Sequence, residues 1–370
     1  MIIITHISLI IINLTLAFLK IKIPFLSFVS YTYLLLFFVG SRNTVDLYNY
    51  IVGFDITQHI SGTQYLFYLP MNFCKDIGLD FFDFRLIYSI LAIYLIDRCL
   101  LKIDVNRHYF IGSYLCYLAF MDNIQIRNFF ASTFFYVACS YLLLQEKKWR
   151  LKFSLWTFLS SLIHTSFLVY FVFLLVPHNI KNEIKNKYKN SNSVKIVFIA
   201  SFIFTLFFLF NRDISQDIVS VLSSVDAGRM EIYSKLATNW GGILYALINI
   251  ITTLFSVALY RINLKSKVAD SIKERNLTIL GVIVTINILA TAFLPFIIMS
   301  IEFYRLLRNL MVVNIIGFII TSRTSKRIIV LLGLLSYLFI WFYVTFLYNV
   351  TEFSRIIIPI FENNYFFNLF

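Results

Sequence analysis

The sequence predicts an all-α polytopic membrane protein, and three observations carry that expectation. Hydrophobic residues make up 59% of the 370-residue chain and charged residues only 14%, where a soluble domain averages ~45–50% apolar and ~25% charged. Folding such a chain in water would leave too little polar surface, which excludes a soluble globular protein. Mean hydropathy is +0.80, and apolar runs close to the ~20 residues of a helical span recur along the whole length. The net charge of +13 falls largely in short connections between those runs, as expected where cytoplasmic loops collect Lys and Arg. No basic stripe sits on a soluble domain, so nucleic acid is not an expected partner.

Taken in order, the candidate spans are 1–19, 23–40, 83–97, 109–121, 126–144, 153–175, 195–211, 241–260, 277–298, 306–320 and 328–347. The first lacks a basic leader and a small-residue cleavage site, so it reads as a retained span rather than a signal peptide. The short run 109–121 is separated from 126–144 by the polar break Asp122-Asn123-Ile124-Gln125-Ile126-Arg127. Lys20 and Lys22 follow the first span and place the N-terminus outside. Alternation then makes the basic loops 98–107 and 145–152 cytoplasmic.

If 153–175 crossed once, the Lys-rich loop 176–195 would lie outside, against the charge rule. The run is too short to cross twice, so a broken or re-entrant segment is expected at 153–175. Its centre is the polar stretch Ser160-Ser161-Leu162-Ile163-His164-Thr165-Ser166. Non-helical backbone at membrane depth is tolerated only where protein or a wet cavity covers it, so this break would line a cavity. The expected architecture is one integral membrane domain over 1–370, with about ten full transmembrane helices plus that segment and both termini outside. Outer loops would be 41–82 and 212–240, and cytoplasmic loops 98–107, 145–152, 176–195, 261–276 and 321–327.

This sidedness sorts the cations by type. Eight Arg and two Lys face outward, against seven Arg and fifteen Lys inside. Guanidinium is the planar, always-charged donor that suits bidentate phosphate recognition. Arg42 and Asp46 end the second span and would share a helix face if the helix continues. They read either as a snorkelling interfacial pair or as a phosphate contact with Asp46 as orienting group or base. Arg127 opens the fifth span beside Asp122 and Gln125, where a helix N-terminus already favours anions. His164 is a buried packing residue or a proton acceptor, its ordinary pKa near ~6.5 suiting general-base work.

Glu302, Arg305 and Arg308 succeed one another at one-turn spacing and form a cationic face with an internal acid, with Tyr304 between them. Tyr48, Tyr50, Tyr65, Tyr68 and Tyr233 punctuate the long outer segments as an interfacial belt or as sugar-stacking platforms. The stretch 63–74 reads as an amphipathic helix lying on the membrane. The four cysteines form no CxxC pair, and no Walker, GxGxxG or HExxH motif occurs. Neither a metal nor a cofactor is therefore expected.

The patterns Arg42-x-x-x-Asp46-x-x-x-Tyr50, Ile126-Arg127-Asn128-x-x-Ala131 and Ile163-His164-Thr165-Ser166 resemble, in order and spacing from about residue 30 to 180, the EpsG-like group of Wzy-type polysaccharide polymerases. The Tyr304-Arg305 region matches more weakly. The chain departs at Asn128, where the family usually has Gln, and at Gln64, where an acid is common. The resemblance implies a glycosyltransferase on the outer face of the bacterial plasma membrane that uses no nucleotide sugar. It would join oligosaccharide repeat units carried on undecaprenyl pyrophosphate, with a chain-length regulator and a flippase as partners. The product would be O-antigen, capsule or exopolysaccharide. In that frame Arg42, Arg127, Arg305 and Arg308 bind pyrophosphate, and His164 is the base with Asp46 as second choice. Gln125, Glu302, Tyr50 and Tyr304 support them.

Two alternatives belong to other classes. A lipid-linked oligosaccharide flippase would also hold pyrophosphate with arginines, but it should carry charges through a midplane cavity and show repeat symmetry, and neither is evident. A GT-C-type transferase using a polyprenyl monophosphate sugar would carry an acid after the first span, where Lys20-Ile21-Lys22 has none.

Overall fold

The computed structural model describes residues 2–42, 44, 46–56, 64–177, 192–211, 239–324, 326–348 and 353–366. The predicted loops 176–195 and 212–240 fall mostly outside these residues, Tyr233 included. The described chain is helical throughout, apart from one isolated antiparallel bridge between Ser41 and Asn364. Five helices are long and apolar enough to cross a membrane: Ile2–Leu19, Gly241–Leu264, Asp270–Met299, Ile301–Thr321 and Arg327–Leu347, with shorter apolar helices beside them. The protein is a polytopic membrane protein.

In chain order the helices are α1 (Ile2–Leu19), α2 (Pro24–Gly40), α3 (Leu47–Ile56), α4 (Tyr65–Asp76), α5 (Phe81–Ile103), α6 (Arg107–Cys116), α7 (Leu118–Ile124), α8 (Ile126–Leu144) and α9 (Trp149–Ser161). A 3₁₀ helix, Thr165–Leu175, precedes α10 (Asn192–Phe210), α11 (Asn239–Leu264), α12 (Asp270–Leu289), α13 (Leu294–Met299), α14 (Arg305–Arg308), α15 (Met311–Thr321), α16 (Arg327–Phe342) and α17 (Ile358–Glu362). The chain divides into two compact units. One comprises Met1–Leu142, Glu146–Phe171 and Arg327–Phe370, the other Leu143–Gln145 and Val172–Lys326.

Polar side chains join the helices of the first unit where the hydrophobic effect gives little preference between protein and lipid. On α1 the buried residues are His6, Leu9, Asn13 and Ala17, while Ile3, Ile4, Ile7 and Ile11 are exposed. His6 bonds the Tyr33 hydroxyl at 2.9 Å and the Leu115 carbonyl at 3.0 Å. Asn13 donates to Ser30 Oγ, and its Oδ1 pairs with His108 Nδ1 at 2.8 Å. Gly112 lets α6 approach α1, because a Cβ there would stand 2.8 Å from the Leu14 side chain. In the second unit Asn287 and Asn314 exchange hydrogen bonds between α12 and α15, and Asn263 on α11 donates to Thr321 at 2.8 Å.

Helix starts follow local chemistry. Pro24 occupies the first turn of α2, where no N–H is needed. Asp80 and Asp83 form a reciprocal capping box on α5, bonding each other's backbone N–H at 2.8 and 3.0 Å. The amphipathic helix expected at 63–74 is α4, which buries Phe67, Met71 and Cys74 at helical spacing.

Two expectations change. The run 109–121 is not one helix: α6 and α7 meet at Tyr117 (φ −149°), whose hydroxyl lies 2.8 Å from Thr345 Oγ1. A contact across more than two hundred residues fixes that kink. The second helix does not continue through Arg42, so Arg42 and Asp46 do not share a helix face. It stops at Gly40 because the chain near the C-terminus occupies the next position: Tyr365 N donates to the Gly40 carbonyl at 2.8 Å and Arg42 N to the Asn363 carbonyl at 2.9 Å. A side chain at position 40 would meet the Asn364 amide. The 153–175 segment is broken where expected: α9 ends at Ser161, a turn runs through His164, and the backbone resumes as a 3₁₀ helix. Eleven residues of 3₁₀ geometry is long for that conformation.

Candidate functional site

In the first unit, the end of α2, the starts of α4, α5 and α8 and the turn after α9 meet in one polar region. Arg85 lies at its base. It sits in the first turns of α5 and is fully buried, a costly place for a cation unless its donors are satisfied. Its Nη1 donates to the Ser41 carbonyl at 3.1 Å, and its Nη2 donates to the carbonyl and Oδ1 of Asn123 at 2.9 and 2.8 Å. Asn123 in turn donates to the Phe37 carbonyl and to Ser41 Oγ, each at 2.9 Å. This network ties the broken end of α2, which carries Arg42, to the segment that leads into Arg127.

Arg127 stands at the second position of α8, where the helix dipole and the free N–H groups of the first turn favour an anion. Its partners are neutral: Nη1 donates to Gln64 Oε1 at 2.5 Å and to the Tyr68 hydroxyl at 3.4 Å. It has no ion pair among the described residues, and its Nε is buried without a hydrogen-bond partner. Gln125 Oε1 is likewise buried and unbonded. Such orphaned groups are uncommon in folded interiors, and a water or a polar ligand would satisfy them. The Phe67 ring lies 5.9 Å from the Arg127 guanidinium and 6.1 Å from the Tyr50 ring, so α4 brings Tyr50 and Arg127 to one phenyl group.

The same helix start holds the His164 turn. Leu66 N donates to the Leu162 carbonyl at 3.0 Å, two residues from Gln64 on one side and from His164 on the other. Ser160 Oγ also donates to the Ala131 carbonyl, one turn along α8 from Arg127. His164 is half-buried, and its Nδ1 faces Ser166, 2.9 Å from Oγ and 3.4 Å from the backbone N. Accepting from that N–H leaves Nδ1 as the basic atom and Nε2 as the protonated one.

The other sequence-derived candidates separate. Arg42 is exposed and lies over the Phe82 ring at 3.4 Å and near the Tyr365 ring at 5.0 Å. Asp46 is half-buried in the turn before α3, where its carbonyl accepts from Tyr50 N. Glu302, Tyr304, Arg305 and Arg308 belong to the second unit. There Arg305 is ion-paired with Glu302 at one-turn spacing. Tyr304 stacks on Tyr245 at 5.1 Å, and the buried Arg308 guanidinium lies 5.8 Å from the Tyr304 ring.

Sequence reading passed over Arg85, Asn123 and Ser41 as site-building residues, although a cation inside an apolar helix is itself a signal. It noted Gln64 and Tyr68 but gave neither to Arg127, because a contact over about sixty residues leaves no local periodicity.

The cations segregate within each unit. In the first, Arg85 and Lys102 sit near opposite ends of α5, about 25 Å apart at ~1.5 Å per residue. Arg127 meets the Arg85 end, whereas at the other end Glu146 pairs with both Lys102 and Lys152, at 3.0 Å each. In the second, Tyr304 meets the start of α11 at Tyr245, while Arg261 and Lys265 lie at its other end. Among the described residues, one end of the first unit therefore carries Arg85 and Arg127, and the other carries Lys102 and Lys152 around Glu146.

No curated protein and no solved structure matches the chain. The model of the EpsG family matches residues 25–359, which takes in every helix of the site. With that match over most of its length, the chain belongs to the EpsG family.

Proposed function

We propose that the protein is a membrane glycosyltransferase of the polysaccharide-polymerase type. It joins oligosaccharide repeat units carried on undecaprenyl pyrophosphate, on the outer face of the bacterial plasma membrane, for O-antigen, capsule or exopolysaccharide. About ten full spans, a re-entrant segment at 153–175 and both termini outside complete this reading. A chain-length regulator and a flippase would work with it. The observation that carries it is Arg127: a guanidinium at a helix N-terminus, held by neutral partners, beside the His164 turn.

In the reaction the acceptor sugar hydroxyl attacks the anomeric carbon of the donor chain. The bond between that carbon and the pyrophosphate oxygen breaks, and its electron pair leaves with the pyrophosphate. Negative charge grows on the leaving group, and a preorganised guanidinium in a water-poor site stabilises it most effectively. Arg127 takes that role, with Arg42 as a further pyrophosphate contact of the same unit, and Arg305 and Arg308 are proposed pyrophosphate contacts of the second unit. Arg85 holds the segments in place rather than touching substrate. The hydroxyl proton passes to His164 Nδ1, by way of the Ser166 hydroxyl that already faces it. Asp46 is the second choice of base.

Purified protein in liposomes with a lipid-linked repeat unit provides the test. Polymerisation yields a ladder of lipid-linked oligomers with release of undecaprenyl pyrophosphate. Transport of the unit across the bilayer without ladder formation would overturn the reading in favour of a flippase.

A further inference from the structure

A half-open pocket lies at the Lys102 end of the first unit. It offers about 480 Å³ between α5, α8 and α9, within the ~300–1,000 Å³ of ordinary ligand sites. Its lining is graded. Arg98 and Lys102 of α5, with Cys99 and Leu101 between them, and Ser140 and Tyr141 of α8 occupy the helix-end side. Leu95, Val137 and Trp156 line the side toward the middle of the helices. Leu95 lies seven residues before Lys102, and Trp156 seven residues after Trp149 at the start of α9, so each is about 10 Å deeper.

Charge at the rim is unbalanced. Lys102 and Lys152 share the one carboxylate of Glu146, at 3.0 Å each. Arg98 is exposed and makes no hydrogen bond or ion pair among the described residues. The Tyr141 ring lies 3.0 Å from the Lys102 ammonium and 4.7 Å from that of Lys152, holding both side chains at the rim. Burial pulls Lys102 below the usual lysine range, as expected for a cation whose single acid is already shared.

We infer that this cavity is a binding site for one anionic phospholipid of the lysine-rich leaflet. Its phosphate would sit between Arg98 and Lys102, and its acyl chains would run over Leu95, Val137 and Trp156. The shared chemistry is a phosphate anion, and two sources could supply it. A soluble phosphate would leave the apolar half of the lining uncovered, whereas a diacyl lipid covers it. Basic pockets between membrane helices recognise lipid headgroups on the same grounds. The inference requires only that the helices lie in a bilayer, and does not depend on the proposed reaction.

Native mass spectrometry of the full chain, released from nanodiscs of equal phosphatidylglycerol and phosphatidylcholine, tests it. The expected result is one retained lipid with phosphatidylglycerol favoured by about tenfold, falling to near parity in Arg98→Gln and kept in Arg98→Lys. The exposed Lys265 in the second unit is the control, and Lys265→Gln should leave the ratio unchanged. Equal retention of both lipids, an unaltered ratio in Arg98→Gln, or an equal loss in Lys265→Gln would each overturn the site. Displacement of the lipid by millimolar glycerol 3-phosphate would overturn it as well, by assigning the cavity to a soluble phosphate.

Discussion

The two arginine-bearing ends differ in what surrounds the charge. In the first unit Arg85 and Arg127 are held by carbonyls, amides and a phenol, with no acid bonded to either among the described residues. In the second, Arg305 is ion-paired with Glu302. Neutral partners fix a guanidinium without cancelling its charge, whereas an adjacent carboxylate does both. Arg127 is therefore positioned to meet an incoming anion at full charge, and Arg305 must first share or release an acid. The difference ranks the candidates in a way that sequence spacing could not.

The largest expected effect follows directly. Arg127→Ala should lower the polymerisation rate by about 10²–10³ with normal membrane expression, and Arg305→Ala should lower it by much less. Ladder assays on the two variants break the comparison if the losses are equal. His164→Ala should cost about 10² in rate, with Ser166→Ala reproducing part of that loss if the hydroxyl relays the proton. A pH–rate profile that keeps its acid limb in His164→Ala would remove the histidine from the base role.

Arg85→Ala should act on stability rather than chemistry. It leaves the Ser41 carbonyl and both Asn123 oxygens without their charged donor, at a cost of about 3 kcal/mol. A lower thermal midpoint in detergent checks this, and an unchanged midpoint would show that the two segments hold without it. Gln64→Glu sharpens the comparison most cleanly, because it gives Arg127 the acid that Arg305 already has. The expected outcome is a rate loss of about tenfold at unchanged stability, read from ladders and a melting curve together.

The smallest effect belongs to the lysine end. Burial raises the Glu146 carboxyl, but hydrogen bonds from Lys152 and Lys102 outweigh it and hold the group below its ordinary 4.5. Its contribution to stability is therefore complete above about pH 4.5 and is lost as pH falls through the lower folded value. The pair is partly exposed, which keeps the term small. Glu146→Gln should flatten the acid limb of a melting-point profile below about pH 4.5.

Much of this was legible before any coordinates. The helix-forming runs, the amphipathic 63–74 stretch, the break around His164 and the start of a helix at Arg127 all follow from local periodicity and polarity. The misread elements share a cause. The α6–α7 kink depends on Thr345, and the end of α2 depends on Asn363, Asn364 and Tyr365. Both are set by segments distant in sequence, and a local pattern carries no trace of them. Arg85 was visible as a cation within an apolar helix, but its partners Ser41 and Asn123 lie about forty residues away on either side.

The sequence by itself determined that this protein lies in a membrane as helices, because apolar runs of that length can satisfy their backbone only that way in lipid. It also determined that arginine and lysine are unevenly distributed along the chain. Only the tertiary structure decided which arginine has an acid as its partner. Hydrogen-bond partners are chosen across the bundle, where Gln64 rather than an acid meets Arg127 and Glu302 meets Arg305.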